Sequence, residues 1–517
     1  MQYYLSVKFD VCDLKKNIKY YTSFLLLFFL AVKCNDGNDE KKKTNEQTAR
    51  TYCGSCHLFP EPNLLDKNTW KQHVLPSMAA MLGIDAVYQI PLYKPANKNP
   101  ISVEDWNKIL SYYLTQAPDT MPTQGRLPVK EYTDLFSAKK ILSPDNSFPS
   151  TSYVKIDEGN HWIYAASSFD STLNIYDEHL KPVAKFNVHG VIVDMYFKDS
   201  LLKPGERNGL ITNIGIMNPN DRKAGTVDTF SITAKGSLTY RATLFDSMPR
   251  PVYTTMINAN NGKQDYLICG FGNKTQGALM LINKTGKQKI LRALPGAITA
   301  YVDDYNHDGL PDILVLMAQA QEGIYLLINK GNDEFETKEI LRFPPIYGSS
   351  YFELDDFNND GFKDILYTCG DNADYSGGVL KNYHGVYIFL NDGRNHFSQK
   401  YFFPIHGCYK AIARDFDKDG DLDIAAISYF PDMQNQPQES FVYLEQKKYI
   451  QFEARAIKEF NEGRWLTIDA GDIDGDGDED IILGSLIPPL PNVQERWKKS
   501  GIQKTGLMLL ENKKVTR

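Results

Sequence analysis

Four short stretches of this 517-residue chain concentrate acids at one fixed spacing, D-x-[DN]-x-D-G-x-x-D. The first holds Asp304, Asn306, Asp308, Leu310 and Asp312 at positions one, three, five, seven and nine. The second holds Asp356, Asn358, Asp360, Phe362 and Asp364. The third holds Asp415, Asp417, Asp419, Asp421 and Asp423, and the fourth Asp472, Asp474, Asp476, Asp478 and Asp480. In a tight loop the alternating side chains at positions one, three and five converge on one point. Position seven adds a carbonyl and position nine a further carboxylate. Such an oxygen-rich set suits a hard cation, Ca²⁺ above all, which takes six to eight oxygens. Glycine at position six supplies the positive φ that turns the chain. An EF-hand would need glutamate at position twelve and flanking helices, and neither is present. Each ion would be structural, offsetting the repulsion of four or five like charges in one loop.

A second constellation is Cys53-Gly54-Ser55-Cys56-His57. Two thiols three positions apart can bond the two vinyl groups of one c-type haem, and the adjacent histidine then faces the iron. Electron transfer asks for a further axial ligand, and a methionine there raises the potential. Met78 is preferred because it follows the Leu75-Pro76 turn; Met81 comes second, His73 third, and Met121 reads as linker. A redox disulfide or half a zinc site is the competing reading. No second C-x-x-C completes a zinc site, and no βαβ pattern suits a thioredoxin.

The elements around these residues can be read in turn. Ser102 to Thr115 places Trp106, Ile109, Leu110 and Tyr113 on one helical face. Thr48 to Tyr52 is read as a short helix leading into the two cysteines. Each acidic loop runs straight into β-type sequence, such as Ile313-Leu314-Val315-Leu316. The loops recur every 52 to 59 residues, the mark of a repeat architecture. Weaker copies lie at Asn258 to Asp265, at Asn208 to Thr212 and at Asp157 to Tyr164, giving seven units. The last unit ends after Leu507 to Asn512 and lacks a fourth strand. Phe136 to Leu142 matches Phe335 to Leu341 and is expected to supply it, which closes a ring and removes exposed edges.

At the N-terminus Lys15, Lys16 and Lys19 precede an apolar run from Phe24 to Val32. The run is too short to span a bilayer comfortably and reads as an export signal. Cys34 ends it. The segment resembles a bacterial lipoprotein signal, in which that cysteine carries lipid, although Lys33 departs from the small residue expected there. Residues 35–47 then read as a flexible tether. The expected organisation is a signal over 1–34, the tether, a haem domain over 48–125 and a propeller over 130–517.

Strand, acidic loop, strand at this spacing resembles the FG-GAP or VCBS repeats of integrin-like β-propellers. The stretch from the cysteines to the helix at 102–115 resembles a small cytochrome c domain. His57-Leu58-Phe59-Pro60-Glu61-Pro62 is similar to the segment that follows haem signatures in exported bacterial proteins fused to VCBS propellers. The resemblance implies a mostly β protein: a seven-bladed propeller with calcium-binding loops, preceded by a small all-α cytochrome c-like domain. It also implies one covalent haem c and about four Ca²⁺ ions.

Composition narrows the function. The net charge of −7 argues against a general nucleic-acid binder. Seven cysteines in 517 residues exclude a disulfide-dense scaffold. Cys269, Cys369 and Cys408 are expected as strand or loop thiols. Three functions are compatible. One is electron transfer with a redox or cell-surface partner docked on the propeller. Another is a quinoprotein-type or polysaccharide-active enzyme, for which no catalytic constellation stands out. The third is adhesion with a vestigial haem site.

Overall fold

In the computed structural model the described residues are 36–85, 101–143, 147–199, 206–260, 263–273, 275–332, 334–375, 379–499, 501 and 503–513. The export signal and Cys34 lie outside them. Among the described residues no helix is long and apolar enough to cross a membrane. The chain forms two compact units. One takes in the N-terminal part up to Tyr52 together with Trp70–Ala117; the other takes in Cys53–Thr69 and Pro118 onward.

The smaller unit is helical. Helix α1 (Asp36–Cys53) begins well before Thr48 and takes in nearly all of the expected tether. Its Glu, Lys, Gln and Ala are good helix formers, and Glu46 pairs with Arg50 one turn on at 2.9 Å. Helix α2 (Leu75–Met81) continues a π-helical turn, Trp70–Val74. Helix α3 (Val103–Gln116) starts where Ser102 accepts the Asp105 N–H at 3.0 Å, with Glu104 and Asp105 in its first turn. Trp106, Ile109 and Tyr113 are buried as the periodicity predicts, Leu110 is half-buried, and Tyr112 joins the buried face. Trp70 meets Tyr113 with ring centroids 4.3 Å apart.

The larger unit is a seven-bladed propeller of four-stranded antiparallel sheets. Blades 1 to 6 span residues 151–187, 192–248, 251–292, 297–342, 349–404 and 408–455. Blade 7 contains Trp465–Gly471, Asp480–Ser485, Thr505–Asn512 and, as its outermost strand, Phe136–Leu142. Phe136 pairs with Asn512 and Ala138 with Leu510 in antiparallel register. The first strands of successive blades touch in sequence, and that of blade 7 meets that of blade 1, so the ring is closed.

Burial explains the strand types. The second and third strands of blade 4, Asp312–Met317 and Gly323–Asn329, are buried at every residue because neighbouring blades cover both faces. They therefore read as continuous apolar runs rather than alternating ones. The outer strand Phe335–Arg342 is largely solvated and carries Glu336, Lys338 and Glu339. Charge on such an edge discourages pairing with other chains.

Candidate functional site: acidic loops and the cysteine-histidine turn

The four acidic loops join the first and second strands of blades 4, 5, 6 and 7. Their backbones are nearly superimposable in hydrogen bonding. The position-one carboxylate accepts the glycine N–H: Asp304 from Gly309 at 2.8 Å, Asp356 from Gly361 at 2.8 Å, Asp415 from Gly420 at 3.1 Å, Asp472 from Gly477 at 2.9 Å. Position five accepts from the position-seven N–H, as Asp308 does from Leu310 at 2.9 Å and Asp360 from Phe362 at 2.9 Å.

The position-six glycines have φ between 84° and 96°. A Cβ on Gly309, Gly361 or Gly420 would meet nothing within 4 Å, so backbone angle alone demands glycine there. Position four is left-handed as well: His307, Asn359, Lys418 and Gly475 have φ of 61°, 57° or nearby values, with Gly475 at 78°. No shared residue type marks that position, and sequence reasoning missed it.

The ninth aspartates have a second duty. Asp312, Asp364, Asp423 and Asp480 are buried. One oxygen of Asp312 accepts the Tyr305 N–H at 3.1 Å and the other the Asn329 N–H at 2.7 Å. Asp364 repeats this with Phe357 and Asn391, and Asp480 with Ile473 and Asn512. Asp423 takes the Gln446 N–H at 2.8 Å and the Tyr443 hydroxyl at 2.6 Å. Each ninth carboxylate thus ties its loop to the end of the third strand. The Asn329, Asn391 and Asn512 amides close the tie by donating to the carbonyls of Pro311, Lys363 and Glu479. Those asparagines are visible in the sequence, but their distance from the aspartate varies with the intervening loop, so the partnership was not.

Electrostatics is unfavourable for bare carboxylates here. Burial pushes Asp423 and Asp480 up to about 7 and Asp364 up to about 6, against opposing hydrogen bonds. Three carboxylate oxygens of Asp415, Asp417 and Asp419 lie within 4.8 Å of one another, as do those of Asp472, Asp474 and Asp476. Asp478 is 1% exposed, and neither of its oxygens meets the geometric criteria for a hydrogen bond to any of the described residues. Burial, then Asp476, pushes it up to about 7. An orphaned, buried carboxylate beside three others is a donor set that a divalent cation would satisfy. In the blade 4 and 5 loops Asn306 and Asn358 replace one acid, and their amides donate to Asp308 and Asp360 at 2.9 and 2.8 Å.

The cysteine-histidine turn follows the end of α1. Cys53 is the last helical residue and half-buried, and Cys56 is exposed in the turn. His57 is half-buried, and its Nδ1 lies 3.0 Å from the Leu58 carbonyl. That bond assigns the proton to Nδ1 and leaves the Nε2 lone pair for a metal. Burial lowers the His57 pKa, which favours the neutral, ligating form. The residues therefore fit a haem attachment peptide.

The expected haem domain over 48–125 is divided. Cys53–Thr69 groups with the propeller, where Gln321 donates to the Cys56 carbonyl at 3.3 Å and Tyr383 to the Leu64 carbonyl at 3.1 Å. Met78 lies on α2 in the helical unit and is half-buried, whereas Met81 is 62% exposed. Cys269, Cys369 and Cys408 are buried in propeller strands.

No curated protein matches the chain in sequence. Among solved structures, a chain of the S. cerevisiae complex of Dbp5 with Nup159 and Gle1 is similar with a TM-score of 0.40 at 12% identity, over 75% of this chain and 99% of that one. The Neurospora crassa Pan2 WD40 domain gives 0.41 at 11% identity, over 74% and 97%. These likenesses are too distant to bear on function. Residues 304–367, which hold the first two acidic loops, match the FG-GAP-like repeat family.

Proposed function

We propose that this is an exported c-type haem protein whose calcium-stabilised propeller is a docking scaffold for electron transfer to a partner protein. The observation that carries the reading is Cys53-Gly54-Ser55-Cys56-His57 with Nδ1 of His57 held on a backbone carbonyl. Cys53 and Cys56 would hold the haem covalently and His57 would bind its iron. Bound there, haem supplies one-electron chemistry, and this chain has only to hold it and set its potential. The four acidic loops would each hold Ca²⁺, which supports the rigidity a docking face needs. The basic and apolar N-terminal run supports export, and Cys34 supports a lipid anchor, the only membrane attachment this reading requires.

The test is export in a host with haem-attachment machinery, followed by an absorbance spectrum and a haem stain on a denaturing gel. A reducible c-type spectrum that survives denaturation is expected. Colourless, correctly exported protein overturns the reading.

A further inference from the structure

Side chains from blades 3 and 4 reach the cysteine-histidine turn as one connected group. Gln321 donates from Nε2 to the Cys56 carbonyl at 3.3 Å. Its other amide atom, Oε1, accepts from Nη2 of Arg292 at 3.0 Å. The Arg292 guanidinium lies 3.8 Å from the centre of the Tyr325 ring, and that of Arg342 lies 5.9 Å from the same ring. Tyr325 is 1% exposed, and its hydroxyl donates to the Gln321 carbonyl at 3.0 Å. Both arginines keep a buried Nε with no hydrogen-bond partner among the described residues. Glu339 pairs with Arg342 and also opposes the charge of Arg292.

Two half-buried cations stacked on one tyrosine are costly to place side by side, since like charges repel strongly where water is scarce. Packing alone would be served by neutral side chains. We infer that Arg292 and Arg342, positioned by Tyr325 and Gln321, form a cationic seat for the Cys56–His57 peptide that raises the reduction potential of the haem attached there. The inference rests on the haem reading above. Its physics is simple: ferric haem carries one more positive charge than ferrous haem, so nearby cations stabilise the reduced state. Arg292 and Arg342 are positioning residues, and Glu339 acts against them.

The experiment uses the full haem-loaded protein and reads the midpoint potential by spectroelectrochemical titration. Arg292→Gln and Arg342→Gln should each lower the potential, and the double variant should lower it most, with more separation at low ionic strength. Glu339→Gln should shift it the opposite way. Arg292→Lys and Arg342→Lys keep the charge and should restore most of the potential, which a purely structural role would not do. An unchanged potential in the haem-loaded double variant, or a fall on Glu339→Gln, overturns the seat while leaving the haem reading intact. Wild-type protein without covalent haem overturns both.

Discussion

Blades 4 to 7 and blades 1 to 3 make the same connection between their first two strands by different means. In blades 4 to 7 the connection is a nine-residue loop with acids at alternate positions. In blade 1 the loop has shrunk to a short turn after Asp157, a buried carboxylate that takes Nη1 of Arg207 from blade 2 at 2.5 Å and the Asn160 amide at 2.8 Å. A guanidinium from the next blade does there what a bound cation would do in the others. Blade 3 keeps only the last acid, Asp265, at the start of its second strand and buried. Blades 1 and 3 thus share a buried carboxylate at this corner with blades 4 to 7, and in blade 1 the chain itself supplies the compensating charge. If the acidic loops hold cations, the corners of blades 4 to 7 would rely on bound ions where blade 1 relies on a guanidinium of its own chain.

The largest expected effect is removal of the ions. If each loop binds Ca²⁺ at about a hundred times its Kd, each contributes about 2.7 kcal/mol to the folded state. Chelation should therefore lower the melting temperature by many degrees, and excess calcium should restore it. Scanning calorimetry with and without chelator is the check; a melting curve indifferent to chelation would remove the distinction between blades 4 to 7 and blade 1.

Asp480→Ala comes next. It removes two hydrogen bonds to a buried carboxylate, from Ile473 and Asn512, and should cost about 3 kcal/mol. Part of the loss should persist in chelator, because the tie to the third strand is independent of any ion. Denaturant unfolding in both conditions separates the two parts, and equal stability of variant and wild type in chelator would refute the tie.

Asp157→Ala should cost about 2 kcal/mol, since it strands Arg207 beside a corner built around it. The loss should be the same with and without calcium. A loss that vanished in chelator would mean that blade 1 also depends on metal.

The smallest effect concerns backbone strain. Gly309→Ala should destabilise by about 1 kcal/mol through its φ of 84° and not through crowding. His307→Gly, which relieves a left-handed residue, should gain under about 1 kcal/mol. Paired urea titrations would show the opposite signs, and a loss on His307→Gly would argue against strain at position four.

The repeat made most of the fold legible. Four acidic loops at a near-constant spacing located blades 4 to 7, and the likeness of Phe136–Leu142 to Phe335–Leu341 pointed to the strand that pairs with Thr505–Asn512. Loop chemistry was readable because five residues with one task stand within nine positions. The tie between the ninth aspartate and the third strand was not readable. Asp364 and Asn391 are 27 residues apart and Asp312 and Asn329 only 17, and no fixed spacing announces them.

By itself, then, the sequence determined what is local: the acidic loops, the left-handed glycines, the cysteine-histidine turn and the apolar strands. Each depends on neighbours within a few residues, whose spacing the chain carries directly. Only the tertiary structure decided what is remote. It set Arg207 on Asp157 across 50 residues and Gln321 on Cys56 across 265. It also put Cys53–Thr69 in the unit of the propeller rather than that of the helices. Packing of one blade on the next, and of residues 53–69 on the blades, brings such partners together, and pairings of this kind leave no periodic trace along the chain.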